Sequence, residues 1–249
     1  MQKEPKLIAI IGGSGAGKTW LSRRLEYGLS PSASSLSLDD FYLDRSTLQP
    51  ALRNRINYDH PRAIDWPRFE AVLDDCRAGK PTLVPRYQFA SHTRLPEDRT
   101  FSPRPAVLVD GLWLLSRPRV RAMFDFVVYL ECPVHLRLKR RLTRDLAERA
   151  RDPGSVREQF WKTVAPMHDR FVAPQVFDAD IILKQPSEAA EIENLAETIR
   201  ALVSEDDLTM PNDSSADWPW PARSKTVRHQ RFPRGRRHGL EAVAVNHVN

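Results

Sequence analysis

Short runs of Val, Ile and Leu alternate along this chain with amphipathic stretches, the pattern of a parallel sheet wrapped by helices. Five runs read as core strands: Lys6–Ile11, Ser35–Leu38, Ala106–Asp110, Phe126–Glu131 and Asp180–Lys184. Helical periodicity between and after them predicts helices near Lys18–Leu29, Trp66–Arg77, Pro133–Arg149, Ser155–Met167 and Ala189–Val203. From Pro81 to Pro105 the pattern breaks into prolines, aromatics and short polar pieces, which predicts a hairpin or loop excursion from the sheet, a common place to hold a substrate. Periodicity stops at about Glu205. Pro, Ser, Asp and Trp there give way to a run of arginines, so a domain over 1–204 and a disordered or loosely attached basic tail over 205–249 are expected.

Composition narrows the class only a little. A chain of 249 residues with 41% hydrophobic content can bury one full core but hardly two. The formal charge of +6 suits polyanionic ligands, whether nucleotides or nucleic acid. Cys76 and Cys132 lie far apart without metal-ligand spacing and read as reduced thiols. Only five apolar residues, Leu7 to Ile11, precede a glycine loop, too few for a signal peptide or a membrane span. A cytoplasmic protein with no membrane partner is the expectation.

The strongest chemical signal is Gly12-Gly13-Ser14-Gly15-Ala16-Gly17-Lys18-Thr19, which matches G-x-x-x-x-G-K-[ST] after an expected strand and at the start of an expected helix. Glycines let backbone N–H groups turn inward around phosphate oxygens, and the helix N-terminus adds partial positive charge. Lys18 is expected to reach the β- and γ-phosphates of a nucleotide, and Thr19 to ligate Mg²⁺. A glycine-rich turn with an incidental Lys-Thr is the bland alternative. The chain has neither an N-K-x-D guanine-reading motif nor the L-S-G-G-Q signature of transporter ATPases. Instead the second strand is followed by Asp39-Asp40, a carboxylate pair at the carboxyl edge of the sheet, where ligands of open α/β folds bind.

Several further motifs occur together. Leu36 to Tyr42 is similar to L-S-x-D-x-F-Y, Asn57-Tyr58-Asp59-His60-Pro61 to N-F-D-H-P, and Pro85 to Arg94 to P-x-Y-D-F-x-x-H-x-R. Arg140-Arg141-Leu142-Thr143-Arg144-Asp145, then Glu148 to Asp152 and Gln159, resembles R-R-x-x-R-D…E-R-G-R-D…Q. In this order, from about Lys6 to Lys184, they resemble the uridine/cytidine kinase branch of the phosphoribulokinase and uridine kinase family. Gln88 stands where that family usually has Asp, and Ala150 where it has Gly.

The resemblance implies an α/β P-loop fold with a five-stranded parallel sheet, a β-hairpin excursion and a mobile helical lid over about 137–160. It implies ATP and a nucleoside-like alcohol as ligands, with Mg²⁺ as cofactor and transfer to a 5′-hydroxyl of uridine or cytidine. Asp39 becomes the base for that hydroxyl, a role phosphoryl transfer needs because a positioned base orients the nucleophile in line. Asp59 would receive the ribose hydroxyls, while Tyr87, Phe89 and His92 would form the base pocket. Arg141, Arg144, Arg149 and Arg151 would belong to the lid, with Arg144 and Arg149 serving transfer, Arg151 ATP, and Arg141 with Gln159 the acceptor. Asp110, where the family generally has Glu, would meet Mg²⁺ through a water.

Structural readings stand beside these. Asp40 reads as a cap or turn residue, Asp65 as an N-cap ahead of Pro67, His60 as a loop histidine, and Asp110 alternatively as a turn residue before Gly111. The aromatics of the excursion can equally be a small satellite core. Arg137, Lys139 and Arg140 are expected on a solvated face. A same-family kinase for a sugar phosphate or pantothenate, and a nucleotide-sensing regulator binding nucleic acid through the basic tail, are the alternatives. Nucleic acid is the less favoured partner, because the lid arginines have no role in it. A homo-oligomer is compatible with the sequence.

Overall fold

The computed structural model describes residues 4–53, 55–149 and 151–204, with the side chains of 148 and 149 excepted; the expected tail over 205–249 lies outside the described residues. The chain runs β1 (Lys6–Gly12), α1 (Lys18–Gly28), β2 (Ala33–Ser37), α2 (Trp66–Arg77), β3 (Thr82–Val84), β4 (Tyr87–Gln88), β5 (Thr93–Arg94), β6 (Arg99–Phe101), β7 (Ala106–Gly111), β8 (Phe126–Glu131), α3 (Val134–Arg149), α4 (Pro153–Gln159), β9 (Ile181–Lys184) and α5 (Ala189–Ser204). The expected five-stranded parallel sheet is present, in the order β2-β7-β1-β8-β9.

Strand periodicity explains how one apolar run serves two layers. Successive side chains point to opposite faces, so a strand covered on both sides must be apolar throughout. In β1, Leu7, Ala9 and Ile11 face a core completed by α2 (Phe69, Val72, Leu73) and the excursion (Val84, Tyr87, Phe101). Ile8 and Ile10 face the opposite core, filled by Leu21 and Leu25 of α1 and Leu195 and Ile199 of α5. All five residues Leu7 to Ile11 are fully buried. Such a central strand can present its carboxyl end, and the loop after it, only at the sheet edge.

Three expectations change in detail. The second strand ends at Ser37, because the Ser37 hydroxyl accepts from the Asp39 N–H (3.4 Å) and starts a 3₁₀ turn over Leu38–Phe41. The excursion resolves into two antiparallel pairs, β3 with β6 and β4 with β5. The helix expected over Ser155–Met167 begins earlier, at Pro153, where the Asp152 carboxylate accepts from Ser155 N (2.7 Å). It passes through a wide π-turn at Phe160–Val164 before Met167, and continues beyond it through a second, His168–Val172, and a 3₁₀ turn over Ala173–Asp178. Pro166 and Pro174 lack an N–H, so regular i→i−4 bonding cannot continue through them.

Candidate active site

The phosphate loop joins β1 to α1 at the carboxyl edge of the sheet. Ala16 N donates to Gly13 O (3.0 Å) to close its turn, and Gly15 and Gly17 take φ of 80° and 100°. Lys18 Nζ donates to Gly13 O at 3.3 Å across the loop. Burial pushes the Lys18 ammonium below its ordinary range, and Asp39 and Asp110 pull in the other direction. Parallel pairing sets Ser37 of β2 beside Asp110 of β7. Asp110 Oδ1 therefore accepts from both Ser37 Oγ (3.3 Å) and Thr19 Oγ1 (3.2 Å). Its carboxyl is pushed up to about 6, first by burial and then by the Asp39 charge, against the pull of Lys18. Asp110 is thus a buried partner of Thr19 rather than a solvated turn residue.

Asp39 and Asp40 diverge from one turn. Asp39 lines a cavity of about 630 Å³ that also meets Ser14, Arg144 and Asp59. Asp40 is a residue of the 3₁₀ turn that Ser37 caps, and its carboxylate pairs with Arg99 of β6 at 3.4 Å. Arg94 of β5 makes a second strap, donating to Tyr42 O (3.0 Å) and to Asp65 (3.0 Å). Asp65 also caps α2 as expected, accepting from Arg68 N. The excursion is therefore tied at two points to the turn that carries Asp39.

Part of the cavity lining is aromatic and polar. Tyr87 packs on Tyr42 (5.1 Å) and Phe89 (5.3 Å), while the His92 ring lies flat on Tyr58 (4.2 Å, 8°). Tyr87 belongs to the main core, with Phe89 packed against it, rather than to a separate satellite core, and both also line the cavity. The loop preceding α2 places Asp59 opposite α4: Asp59 Oδ2 accepts from Gln159 Nε2 (3.2 Å) and Thr163 Oγ1 (3.0 Å). Thr163 has no place in the sequence reading. His60 lies off the cavity, accepting from Arg62 N (3.0 Å) and packing edge-on to Phe171.

From α3 comes the cationic wall. Arg141 donates to Ser14 Oγ (2.9 Å) and Gln159 Oε1 (3.1 Å), and Arg151 also donates to Gln159 Oε1. Arg144 and Arg151 line the cavity, whereas the Arg149 side chain lies outside what is described. The solvated face expected for Arg137 and Arg140 is wrong. Arg137 is 4% exposed, with its guanidinium over the Phe160 ring, and Arg140 Nη1 donates to Ala16 O (3.0 Å). Positions 137, 140, 141 and 144 follow i, i+3, i+4, i+7, one helical face, and that face meets the loop. The spacing was a usable signal. Lys139, off that face, is exposed.

His168 is a second residue that sequence reasoning missed. It comes close to Gly13, and burial followed by the Arg137 charge pushes its imidazole down to about 4. A histidine whose folded pKa lies below its ordinary 6.5 favours the folded state above pH 6.5, and that contribution is lost as pH falls towards about 4. His168→Gln should therefore flatten the loss of thermal stability between those two pH values. A melting-temperature series against pH with the same slope as wild type would contradict this.

A family model described as Phosphoribulokinase / Uridine kinase family matches residues 7–191. The uridine kinase of Staphylococcus epidermidis is 38% identical over 200 residues, covering 80% of this chain and 97% of that protein. The uridine kinase of Halobacterium salinarum is 33% identical over 209 residues, covering 84% and 93%. Among solved structures, phosphoribulokinase from Rhodobacter spheroides superposes with a TM-score of 0.56 at 16% identity, covering 74% of this chain and 71% of that one. That likeness is one of fold. Among the described residues, no helix is long and apolar enough to cross a membrane.

Proposed function

The chain belongs to the phosphoribulokinase and uridine kinase family, and we propose that it transfers the γ-phosphoryl group of ATP to the 5′-hydroxyl of uridine or cytidine. One observation carries the reading: one cavity is lined by the phosphate-loop residue Ser14, by the carboxylates Asp39 and Asp59, and by Tyr87, Phe89 and His92. A flat ring fits among aromatics, a sugar diol suits a carboxylate, and Asp39 is a second carboxylate open to the same cavity.

In this reading the loop from Gly12 to Thr19 cradles the phosphates and Lys18 follows the charge on the γ-phosphoryl group. Asp59, which holds Gln159 and Thr163, exchanges those partners for the ribose hydroxyls. Asp39 accepts the proton of the 5′-hydroxyl as the oxygen attacks phosphorus. Arg141, Arg144, Arg149 and Arg151 offset the charge that builds on the transferred group and the departing ADP.

Thr19 and Asp110 fit Mg²⁺. A hydroxyl and a buried carboxyl raised to about 6 by burial and a second carboxylate make a site that gains from a cation. Among the described residues no three His, Cys, Asp or Glu gather as an all-protein metal cage, in keeping with an ion that takes its other ligands from ATP and water. There Mg²⁺ would neutralise charge on the β- and γ-phosphate oxygens.

The test is a panel of alcohols with ATP, scored by ADP release. Uridine or cytidine should lead it; a panel led by a sugar phosphate or pantothenate would replace the acceptor and leave the chemistry standing. Within the panel, His92→Ala should raise KM for the pyrimidine nucleoside by about tenfold or more and leave KM for ATP nearly unchanged, because an edge reader acts on the acceptor alone. Equal losses for both substrates would assign His92 to folding.

A further inference from the structure

Behind the cationic wall sits one acidic residue with no role so far. Asp145, on α3, is fully buried, and among the described side chains three guanidinium groups lie against it. Arg141, one helical turn earlier, places Nε 3.4 Å from Oδ2; Arg144 reaches Oδ1 with Nη2 at 2.8 Å and Nε at 2.9 Å. Arg151 returns from beyond the end of α3, its Nη1 3.9 Å from Oδ2 and its backbone N–H on Asp145 O at 3.2 Å. Gln159 joins Arg141 to Arg151 from the α4 side.

This arrangement solves a physical problem. Three like charges aimed at one cavity repel, and each long side chain loses rotamer freedom when it is fixed. Arg141 feels both effects: burial pushes its guanidinium below the ordinary range, Asp59 and Asp145 pull it back up, and Arg144 and Arg151 push it down further. A buried carboxylate is itself costly unless it is paired and hydrogen-bonded. Carboxylate and arginines therefore hold one another. Arg144 and Arg151 keep about a third of their side chains open and line the cavity with Arg141, whereas Asp145 lines none of it.

We infer that Asp145 is a positioning residue, a buried carboxylate that gathers Arg141, Arg144 and Arg151 from the two lid segments and aims them at the phosphate end of the cavity. It touches no substrate and acts through the arginines. The inference rests on the kinase reading above, and it adds the element that lets a cationic lid be ordered before an anion arrives.

Asp145→Asn keeps the shape and removes the charge. Turnover should fall by about tenfold or more, the scale of a lost hydrogen bond between charged groups, while KM for the nucleoside changes little. Hydrogen exchange of backbone amides over 137–160 should quicken while that of β1 and β7 stays as in wild type. In an Arg144→Ala, Arg151→Ala background the same change should cost no more than about threefold, because its effect runs through those side chains. Asp145→Glu, which keeps the charge, should remain closer to wild type in both turnover and exchange.

The inference is overturned by a folded Asp145→Asn protein with wild-type turnover and exchange, by full additivity with the arginine changes, or by a chain that folds with neither Asn nor Glu at 145. If no nucleoside is turned over by the wild-type protein, the kinase reading fails on its own, and the exchange comparison still decides whether Asp145 orders the arginines.

Discussion

Replacing Asp39 by asparagine should lower kcat by about 10²–10⁴-fold, the usual contribution of a general base, with a much smaller change in nucleoside binding. The amide keeps the shape and can still hydrogen-bond to the hydroxyl, but it has no basic oxygen to take the proton. Its neighbour is the control. Asp40 faces away from the cavity and pairs with Arg99, both side chains partly exposed. Such pairs contribute about 1 kcal/mol or less, so Asp40→Asn should cost at most about fivefold. Steady-state kinetics on the two variants separate the roles. A folded Asp39→Asn protein with near-normal kcat, or one in which Asp40 proves indispensable, would remove Asp39 as the base.

Gly15→Ala should weaken ATP binding by about 10²-fold while the sheet stays folded. Gly15 has φ of 80°, and a Cβ there would lie 2.3 Å from the carbonyl oxygen of Arg137. The left-handed backbone costs a side chain about 1–2 kcal/mol, and the overlap with a fixed helix backbone adds about 1–3 kcal/mol more. Either the loop or α3 must shift, and both carry the phosphate site. Affinity for ATP should fall by about 10²-fold, taking each 1.4 kcal/mol as a factor of ten. Gly28 has open space around it, and Gly28→Ala should leave binding unchanged. Calorimetric titration with ATP checks both. An undiminished affinity in Gly15→Ala would mean that the contact between loop and α3 is not needed for phosphate binding.

Arg137 and Arg140 mark where local reading fails. A charged residue on an amphipathic helix looks solvated unless its partner surface is known, and the partner here is a loop more than a hundred residues earlier. Ser14 is similar: inside the glycine motif it is one variable position, yet its hydroxyl holds Arg141. Asp145 sits in a motif legible from the sequence, but no motif says that it is buried among three arginines.

The sequence by itself determined the sheet, the phosphate loop, and which chemical groups are available. Those follow from local rules: apolar runs make covered strands, glycines permit the loop at Gly15 and Gly17, and an Asp before Trp66 and Pro67 caps a helix. Tertiary structure alone decided which groups meet. Parallel register set Ser37 and Thr19 on Asp110, the straps Arg94 and Arg99 fixed the excursion to the Asp39 turn, and the face of α3 lay on the loop. These contacts join residues distant in the chain, and their free energy appears only when both sides are buried together, so no window of sequence contains it.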